Sequence, residues 1–482
     1  MIDLRPVGYV IGVLVAVMGL AMVPSMLLDL ADGHSDWTGF LEAIVISLAA
    51  GGLIALASAA GRRPGLSLRE SFLITSGVWA VLPLFGALPF MLATPGASFT
   101  DAYFEAMSGL TTTGSTVFVG LDDMPRGTLL WRGTLQWLGG LGIVIVAMVF
   151  LPVMRVGGMQ FFHAEGFDTL GKILPRALDI SRWLIGFYLL ITMLCAVAYV
   201  IVGMSGFEAL VHAFTTVSTG GFSTNDASFA PYQGAGEYVG ALFMLAASLP
   251  FARFVQLMRG DPVPLWRDVQ VRAYLRWTAY VVLAIAGWRV AVNGAALEPA
   301  LRESLFNTVS LFSGTGYGSE DVLAWGGFPL ALLFIAGLIG GCTSSTACSI
   351  KIFRWLVVIE AIRARVRRLH SPHRVAPMQL GGRRLDAGVV TSVMVFFSVF
   401  MACFFALIAA LDLTGLPTMT AITAAWTAIA NIGPAYGPLV GPTGAMDAFP
   451  ASAKWLMVAG MWIGRLEVVS VLVLLLPRFW RG

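Results

Sequence analysis

Charge is scarce in this 482-residue chain. Only 12% of residues are Asp, Glu, Lys or Arg, against about 25% in soluble domains, which excludes an ordinary solvated globule. Cysteine is scarcer still. Cys195, Cys342, Cys348 and Cys403 all fall in or near apolar runs, so they form no disulfide framework or zinc site and read as small apolar fillers. The five histidines have no metal-ligand spacing. No P-loop and no GxGxxG pattern occurs, so this chain is expected to bind no nucleotide or organic cofactor, and no nucleic-acid partner is expected. Nor is there a nucleophile or acid–base cluster of the kind an enzyme needs. The one tempting residue, His212, reads as a packed polar side chain.

Apolar runs are what the chain has in quantity. Hydrophobic residues make up 57% of it and mean hydropathy is +0.82. Runs near twenty residues suit helices crossing a bilayer core of about 30 Å. They cover 7–29, 40–60, 72–94, 128–153, 183–203, 237–258, 277–292, 387–410 and 453–477, with an interrupted run over about 328–363. The first run is too long for a signal peptide and no cleavage site follows it. Basic residues cluster in alternate connections: Arg62, Arg63 and Arg69; Arg155 to Arg182; Arg253 to Arg276; Arg363 to Arg384. Acids such as Asp32, Asp101, Asp226, Glu320 and Asp447 occupy the others. The positive-inside rule then puts the N- and C-termini in the cytoplasm.

Four short segments, each between two runs, repeat a pattern. They are FEAMSGLTTTGST (104–116), VHAFTTVSTGGFS (211–223), FNTVSLFSGTGYG (306–318) and TAAWTAIANIGPA (423–435). They align on Gly114, Gly221, Gly316 and Gly433, spaced 107, 95 and 117 residues apart, with Ala106, Ala213, Thr308 and Ala425 eight residues earlier. The expected fold is an all-α polytopic membrane protein. Four span–pore-loop–span repeats share pseudo-fourfold symmetry, preceded by two extra N-terminal spans. This makes ten crossings and four re-entrant segments, divided at 1–65, 66–160, 161–265, 266–380 and 381–482. The short helices are expected to start near Asp101, at a Ser205/Glu208 capping box and at Pro299.

Broken backbone at membrane depth survives only when buried or lining a watery cavity. Four breaks in one register point to a single axial site. Carbonyls ringed there can replace the hydration shell of a monovalent cation, and four helix C-termini add favourable partial negative charge. The candidate ion-coordinating residues are Thr112, Thr113 and Gly114; Thr219, Gly220 and Gly221; Thr315, Gly316 and Tyr317; Asn431, Ile432 and Gly433.

Below them, the interrupted run carries Gly340, Gly341, Cys342, Thr343, Ser344, Ser345, Thr346, Ala347, Cys348 and Ser349, followed by Lys351 and Arg354. Two glycines and a run of small polar residues break a helix, so the segment reads as a gate, with Gly340, Gly341, Thr343, Ser344, Ser345, Thr346, Ser349 and Lys351 as its working residues. A polar packing seam is the alternative. Arg465, inside the last run, costs at least about 2.5–3.5 kcal/mol at the bilayer centre. It reads either as a positive barrier under the ring or as an anchor paired with a carbonyl or with Glu467.

TTTGST at 111–116, STGGFS at 218–223, TGYG at 315–318, NIGP at 431–434, GGCTSSTACSIKIFR at 340–354 and GRLE at 464–467 resemble the bacterial Trk/Ktr family of potassium-uptake proteins, within the wider Trk/Ktr/HKT superfamily. The resemblance covers essentially the whole chain, and the two extra spans match the longer branch of that family. It implies potassium as the transported ion, a homodimer with one pore per subunit, a bacterial inner-membrane location and a cytosolic TrkA-like nucleotide-binding ring. It also implies that Gly114, where sodium-permeable relatives carry serine, favours potassium. The fourth segment departs from the pattern, with Ala430 where the others have Thr or Ser, so an asymmetric ring is expected. Two inner connections are docking candidates: 155–182, with Gln160, His163, Glu165 and Lys172, and Arg363 to Arg384, which can also attract anionic membrane lipid. The competing function is a potassium symporter coupled to sodium or protons. Such proteins usually show twofold inverted repeats, and no carboxylate pair is evident in the spans.

Overall fold

The computed structural model describes residues 3–61, 67–149, 177–371, 377–441 and 443–481. Helices dominate these residues, and the strands among them are a two-residue hairpin, β1 (Gln379–Leu380) and β2 (Arg383–Arg384). The leading pair is α1 (Arg5–Ala21), continued past Met22 by α2 (Val23–Ala31), and α3 (Trp37–Ala57). Glycine sets how closely α1 and α3 approach. A Cβ on Gly12 would lie 2.6 Å from Ala55 N, and one on Gly51 would lie 2.6 Å from Ala16 N. Small residues at such crossings let two backbones pack in a medium with no hydrophobic drive between helices.

The first repeat comprises α4 (Leu68–Gly86), α5 (Leu88–Leu92), the short α6 (Phe99–Leu110) and α7 (Arg126–Val149). The second has α8 (Ala177–Ile201), α9 (Gly206–Val217), α10 (Ala235–Ala247) and α11 (Phe251–Met258). The short α12 (Val263–Arg267) straddles the expected 265/266 boundary, and the third repeat has α13 (Val269–Ala291), α14 (Leu297–Ser313), α15 (Gly327–Ile339) and α16 (Ile352–His370). The fourth has α17 (Ala387–Asp412), α18 (Thr418–Ala430) and α19 (Ala451–Arg465).

Among the described residues, five helical stretches are long and apolar enough to cross a bilayer: Arg5–Ala31, Trp37–Ala57, Arg69–Leu92, Arg182–Ile201 and Ala387–Asp412. The other expected spans are broken, carry arginines or run out of the described residues at 149. Two corrections stand out. The run 237–258 is not one helix: Ser248–Pro250 breaks it, and α10 and α11 meet at 95°. The run 453–477 stops being regular at Arg465, where Glu467 and Val468 take left-handed φ values of 60° and 46°. The repeat boundaries at 65/66 and 160/161, and most of the connection 155–182, lie outside the described residues.

The four short helices start close to where their sequences suggested. Ser205 and Glu208 form the expected reciprocal cap. Ser98, not Asp101, caps α6, and α14 starts at Leu297, two residues before Pro299. Helix α6 packs on α7 and α19; α9 on α7 and α8; α14 on α10, α13 and α15; α18 on α15, α17 and α19. Each repeat's inner helix is therefore cradled partly by a helix of the repeat before it, and the fourth repeat closes on the first. Every residue from Ala102 to Leu110 is buried, so these segments sit inside protein rather than lipid.

Candidate functional site

All four short helices end in the same way. The residue two before each aligned glycine is left-handed: Thr112 (φ 51°), Thr219 (52°), Gly314 (85°) and Asn431 (52°). Thr113 N donates to Ser108 O at 2.9 Å, Gly220 N to Thr215 O at 2.8 Å and Ile432 N to Thr427 O at 3.1 Å. These six-to-one bonds beyond a left-handed residue are the Schellman way of closing a helix. Threonine and asparagine rarely adopt this conformation, and repeated backbone strain of this kind clusters at functional sites. The alignment of the four segments is thus reproduced in backbone geometry.

Beyond these ends the four glycines close a ring. A Cβ on Gly114 would lie 2.2 Å from Gly220 O, and one on Gly221 would lie 1.8 Å from Thr315 O. A Cβ on Gly316 would lie 2.6 Å from Gly433 N, and one on Gly433 would lie 3.2 Å from Gly114 O. Each repeat therefore abuts the next, in order, around a closed circuit of backbone. Gly114, Gly221 and Gly316 have φ of 87°, 79° and 82°. Gly433, followed by Pro434, is not left-handed, which is the asymmetry that the fourth segment foretold.

Side chains brace the ring from outside. Gln136 on α7 donates to Gly220 O at 2.7 Å and accepts from Phe222 N at 3.0 Å. Ser115 Oγ donates to Gly433 O at 3.0 Å, and Asn431 Nδ2 donates to Thr113 Oγ1 at 2.9 Å and to Met461 O at 3.0 Å. Arg132, fully buried, donates to Glu105 at 2.9 Å and to Ser223 O at 2.8 Å, while Glu105 accepts from Val117 N at 3.0 Å. Tyr317 points away from the ring, its hydroxyl 2.5 Å from Thr215 Oγ1. His212 is buried and bonded to Glu208 O and Ser223 Oγ. Its reading as a packed polar side chain stands.

One side of the ring opens into a cavity of about 700 Å³ whose lining includes all four glycines, with Asp226, Glu320 and Asp321 on its walls. The loop 340–351 lies against the other side. Cys348 Sγ is 3.7 Å from Thr112 Oγ1, and a Cβ on Gly314 would lie 3.1 Å from Cys348 Cβ. Thr346 Oγ1 donates to Val217 O and Ala247 O, both at 3.1 Å, and Arg465 donates to Cys348 Sγ at 2.6 Å. The loop thus touches all four repeats. Gly340, Ser344, Ser349 and Lys351 are left-handed within it. Polar anchors hold it: Thr343 N and Oγ1 donate to Gln270 at 3.0 and 2.7 Å, Ser349 Oγ to Leu338 O at 2.9 Å, and Ser345 Oγ to Cys342 O at 2.6 Å. A Cβ on Gly341 would lie 2.4 Å from Ala347 Cβ. The break between α10 and α11 interlocks with the loop, since Cys342 N donates to Ser248 O and Phe251 N to Ser344 O.

Three cations gather beneath the loop. Lys351 Nζ is 3.3 Å from Glu467, and Arg354 binds the same carboxylate. Arg354 also lies over the Phe396 ring at 3.8 Å. Glu467 is therefore taken, which removes it as the anchor partner offered in the alternative reading of Arg465. Arg465 is only 4% exposed, and its Nε and Nη2 have no hydrogen-bond partner among the described residues. Among the described residues, Cys348, expected to be mere filler, supplies the one side-chain hydrogen bond of Arg465. All four cysteines are free thiols, and no metal-ligating cluster occurs among the described residues.

Residues 38–481 match the family model TrkH, a cation transport protein. The chain belongs to the TrkH family. Similar proteins include the Trk system potassium uptake protein TrkI of Halomonas elongata, 38% identical over 99% of this chain and 97% of that one. The Trk system potassium uptake protein TrkH of Escherichia coli K12 is 33% identical over 99% of both chains. The crystal structure of the potassium transporter TrkH from Vibrio parahaemolyticus superimposes with a TM-score of 0.92 at 31% identity, each chain fully covered. This is a multi-pass, all-α membrane protein of a transporter family, not an enzyme.

Within this TrkH-family chain, the predicted ring and loop residues do come together, apart from the outward-turned Tyr317 side chain. Reasoning from sequence missed Gln136, Gln270, the Arg132–Glu105 pair and the engagement of Cys348. A lone glutamine or glutamate in an apolar run is visible as a buried polar group that needs a partner. Nothing in the sequence names that partner.

Proposed function

We propose that this chain is the potassium-conducting membrane subunit of a Trk-type uptake system. The observation that carries the proposal is the closed circuit of glycine backbone linking four repeats, with a wide cavity on one side and a polar loop on the other. Backbone carbonyls of Thr112 to Gly114, Thr219 to Gly221, Thr315 to Tyr317 and Asn431 to Gly433 coordinate the dehydrated ion in this reading. The loop from Gly340 to Lys351 is the gate. Its contacts with every repeat, weakly held at Cys348 and firmly held at Lys351 by Glu467, suit a plug whose middle moves aside while its C-terminal end stays fixed. Arg465, buried with no carboxylate partner among the described residues, raises the energy of a cation below the ring while the gate is shut. The names of the similar proteins, potassium uptake proteins of Trk systems, support potassium as the ion. The resemblance further supports a homodimer, a TrkA-like cytosolic ring, a surrounding lipid bilayer in the bacterial inner membrane, cytoplasmic termini and the five-part division at 65, 160, 265 and 380.

The test is potassium and sodium flux into liposomes holding the purified protein, with and without Gly316→Ser. The expected result is potassium flux exceeding sodium flux, with that preference lost in the variant. Preference retained in a folded Gly316→Ser variant overturns the filter assignment. If the wild type is silent, deletion of Ser344 to Ser349 must open it; silence of that deletion as well overturns the pore.

A further inference from the structure

A second cavity, of about 170 Å³, lies away from the glycine ring. Arg253 of α11, Arg267 at the end of α12, Asp268, Gln270 of α13, Phe353 of α16 and Arg383 of β2 line it. Asp268 is already engaged, accepting from Arg253 Nε at 2.9 Å and from Gln270 N at 2.8 Å. Three arginines against one aspartate leave the lining with two excess positive charges. Among the described residues, neither Arg267 nor Arg383 has an ion-pair or side-chain hydrogen-bond partner. Like charges facing one small cavity repel unless an anion sits between them. Guanidinium forks match phosphate oxygens in particular.

Exposed apolar side chains on the two helices that lead into the cavity point to where that phosphate comes from. On α11 and α12, Leu257, Met258, Val263 and Trp266 are 38%, 41%, 48% and 64% exposed. Exposed tryptophan and aliphatic side chains beside arginines mark the boundary between bilayer and water. Anionic lipid headgroups are concentrated there, and basic residues attract them.

We propose that this cavity binds the phosphate of an anionic lipid headgroup, such as that of phosphatidylglycerol, and that the bound lipid holds the 340–351 loop in the arrangement seen here. Gln270 lines the cavity and also accepts both hydrogen bonds of Thr343 in the loop. Phe353 stands two residues past Lys351, the end of the loop. A phosphate bridging Arg267 and Arg383 ties the start of α13 to the hairpin that follows α16. These elements already touch, since a Cβ on Gly381 would lie 3.1 Å from Val269 Cγ1. A ligand that binds one arrangement shifts the population toward it, so the lipid lowers flux. This effect on flux rests on the pore reading above; the binding itself does not.

The experiment has two arms. In the first, native mass spectrometry of the full chain counts retained phosphatidylglycerol and phosphatidylcholine. Phosphatidylglycerol is expected to be retained over phosphatidylcholine. Its affinity is expected to fall about fivefold for Arg267→Gln or Arg383→Gln and roughly 25-fold for both. Both side chains are exposed and unpaired, so a melting curve is expected to match the wild type. Unchanged retention in the double variant overturns the site. Displacement of the lipid by inorganic phosphate overturns the lipid assignment in favour of the free anion. Loss of cytosolic-ring binding with unchanged lipid retention gives the arginines to a protein partner and also overturns it. In the second arm, potassium flux is compared in phosphatidylcholine vesicles with and without phosphatidylglycerol. Lower flux with phosphatidylglycerol, equalised in the double variant, supports the coupling. Lipid-independent flux with intact binding overturns the coupling alone, whereas absence of flux in every lipid even after deletion of Ser344 to Ser349 counts against the pore reading.

Discussion

Replacing Gly221 by alanine separates two costs that usually arrive together. The first is conformational. At φ 79° a Cβ meets its own backbone, a penalty of about 1–2 kcal/mol. The second is the neighbour. The added carbon would lie 1.8 Å from Thr315 O, and real Cβ atoms essentially never come within 3.0 Å, so carbonyl or glycine must retreat by roughly 1.2 Å. Side-chain motion cannot relieve this, because the obstacle is backbone from the next repeat. Gly294 is the matched control: φ is 68° and nothing lies within 4 Å of the added carbon. Gly294→Ala therefore carries the conformational cost alone. The assay is the ratio of potassium to sodium flux in liposomes, with thermal stability measured alongside. Gly221→Ala is expected to lower the ratio at least tenfold, about 1.4 kcal/mol of lost discrimination. Gly294→Ala is expected to lower the melting temperature slightly and leave the ratio intact. A folded Gly221→Ala protein with wild-type discrimination refutes the argument that the crowded carbonyls set selectivity. An equal loss in Gly294→Ala refutes it as well, since strain alone would then suffice.

Two further predictions concern the charges below the ring. Arg465→Ala is expected to raise potassium flux severalfold, by removing a buried positive charge whose Nε and Nη2 are unpartnered; unchanged flux through a normally folded variant removes Arg465 from the barrier. Glu467→Gln leaves Lys351 and Arg354, both buried, without their shared carboxylate, and is expected to cost about 3–5 kcal/mol, read as a clear fall in melting temperature. An unchanged melting temperature would show that the carboxylate contributes nothing to holding the loop.

What was legible in the sequence was what repeats or what is locally determined. Four glycines in one register, each after a small-residue helix and between apolar runs, predicted the ring, and the left-handed residues at 112, 219, 314 and 431 fall on that register. The break at Gly340–Gly341 was legible because two adjacent glycines followed by eight small residues, Cys342 to Ser349, seldom sustain a helix. The break at Ser248–Pro250 was not, because an apolar run containing one proline reads the same whether it kinks or turns through 95°. Pairing was the least legible. Glu467 stands two residues from Arg465, and nearness along the chain suggested that they pair. In three dimensions the left-handed turn at 467–468 carries Glu467 to Lys351 and Arg354, residues more than a hundred positions away.

That exchange of partners has a consequence for how the loop is held. Had Arg465 paired with Glu467, the fourth repeat would neutralise its own charge and the loop would be free of it. Instead the fourth repeat offers the loop a carboxylate, Glu467, for Lys351 and Arg354, and a cation, Arg465, for Cys348 Sγ at 2.6 Å. The first contact is a buried, charge-assisted network, strong once formed and costly to leave half made. The second joins a guanidinium to a thiol, a weak acceptor, and leaves two of the guanidinium's nitrogens unsatisfied. The two attachments are therefore unequal. In the gate proposed above, opening that moves only the middle of the loop would break the weak contact at Cys348 and keep the strong one at Lys351, which places the expected hinge at the C-terminal end of the loop, where α16 begins. The left-handed Ser349 and Lys351 lie at that end, and in the proposed gate a change in their backbone angles is expected to move Thr346 and Cys348 while Glu467 keeps its grip on Lys351 and Arg354.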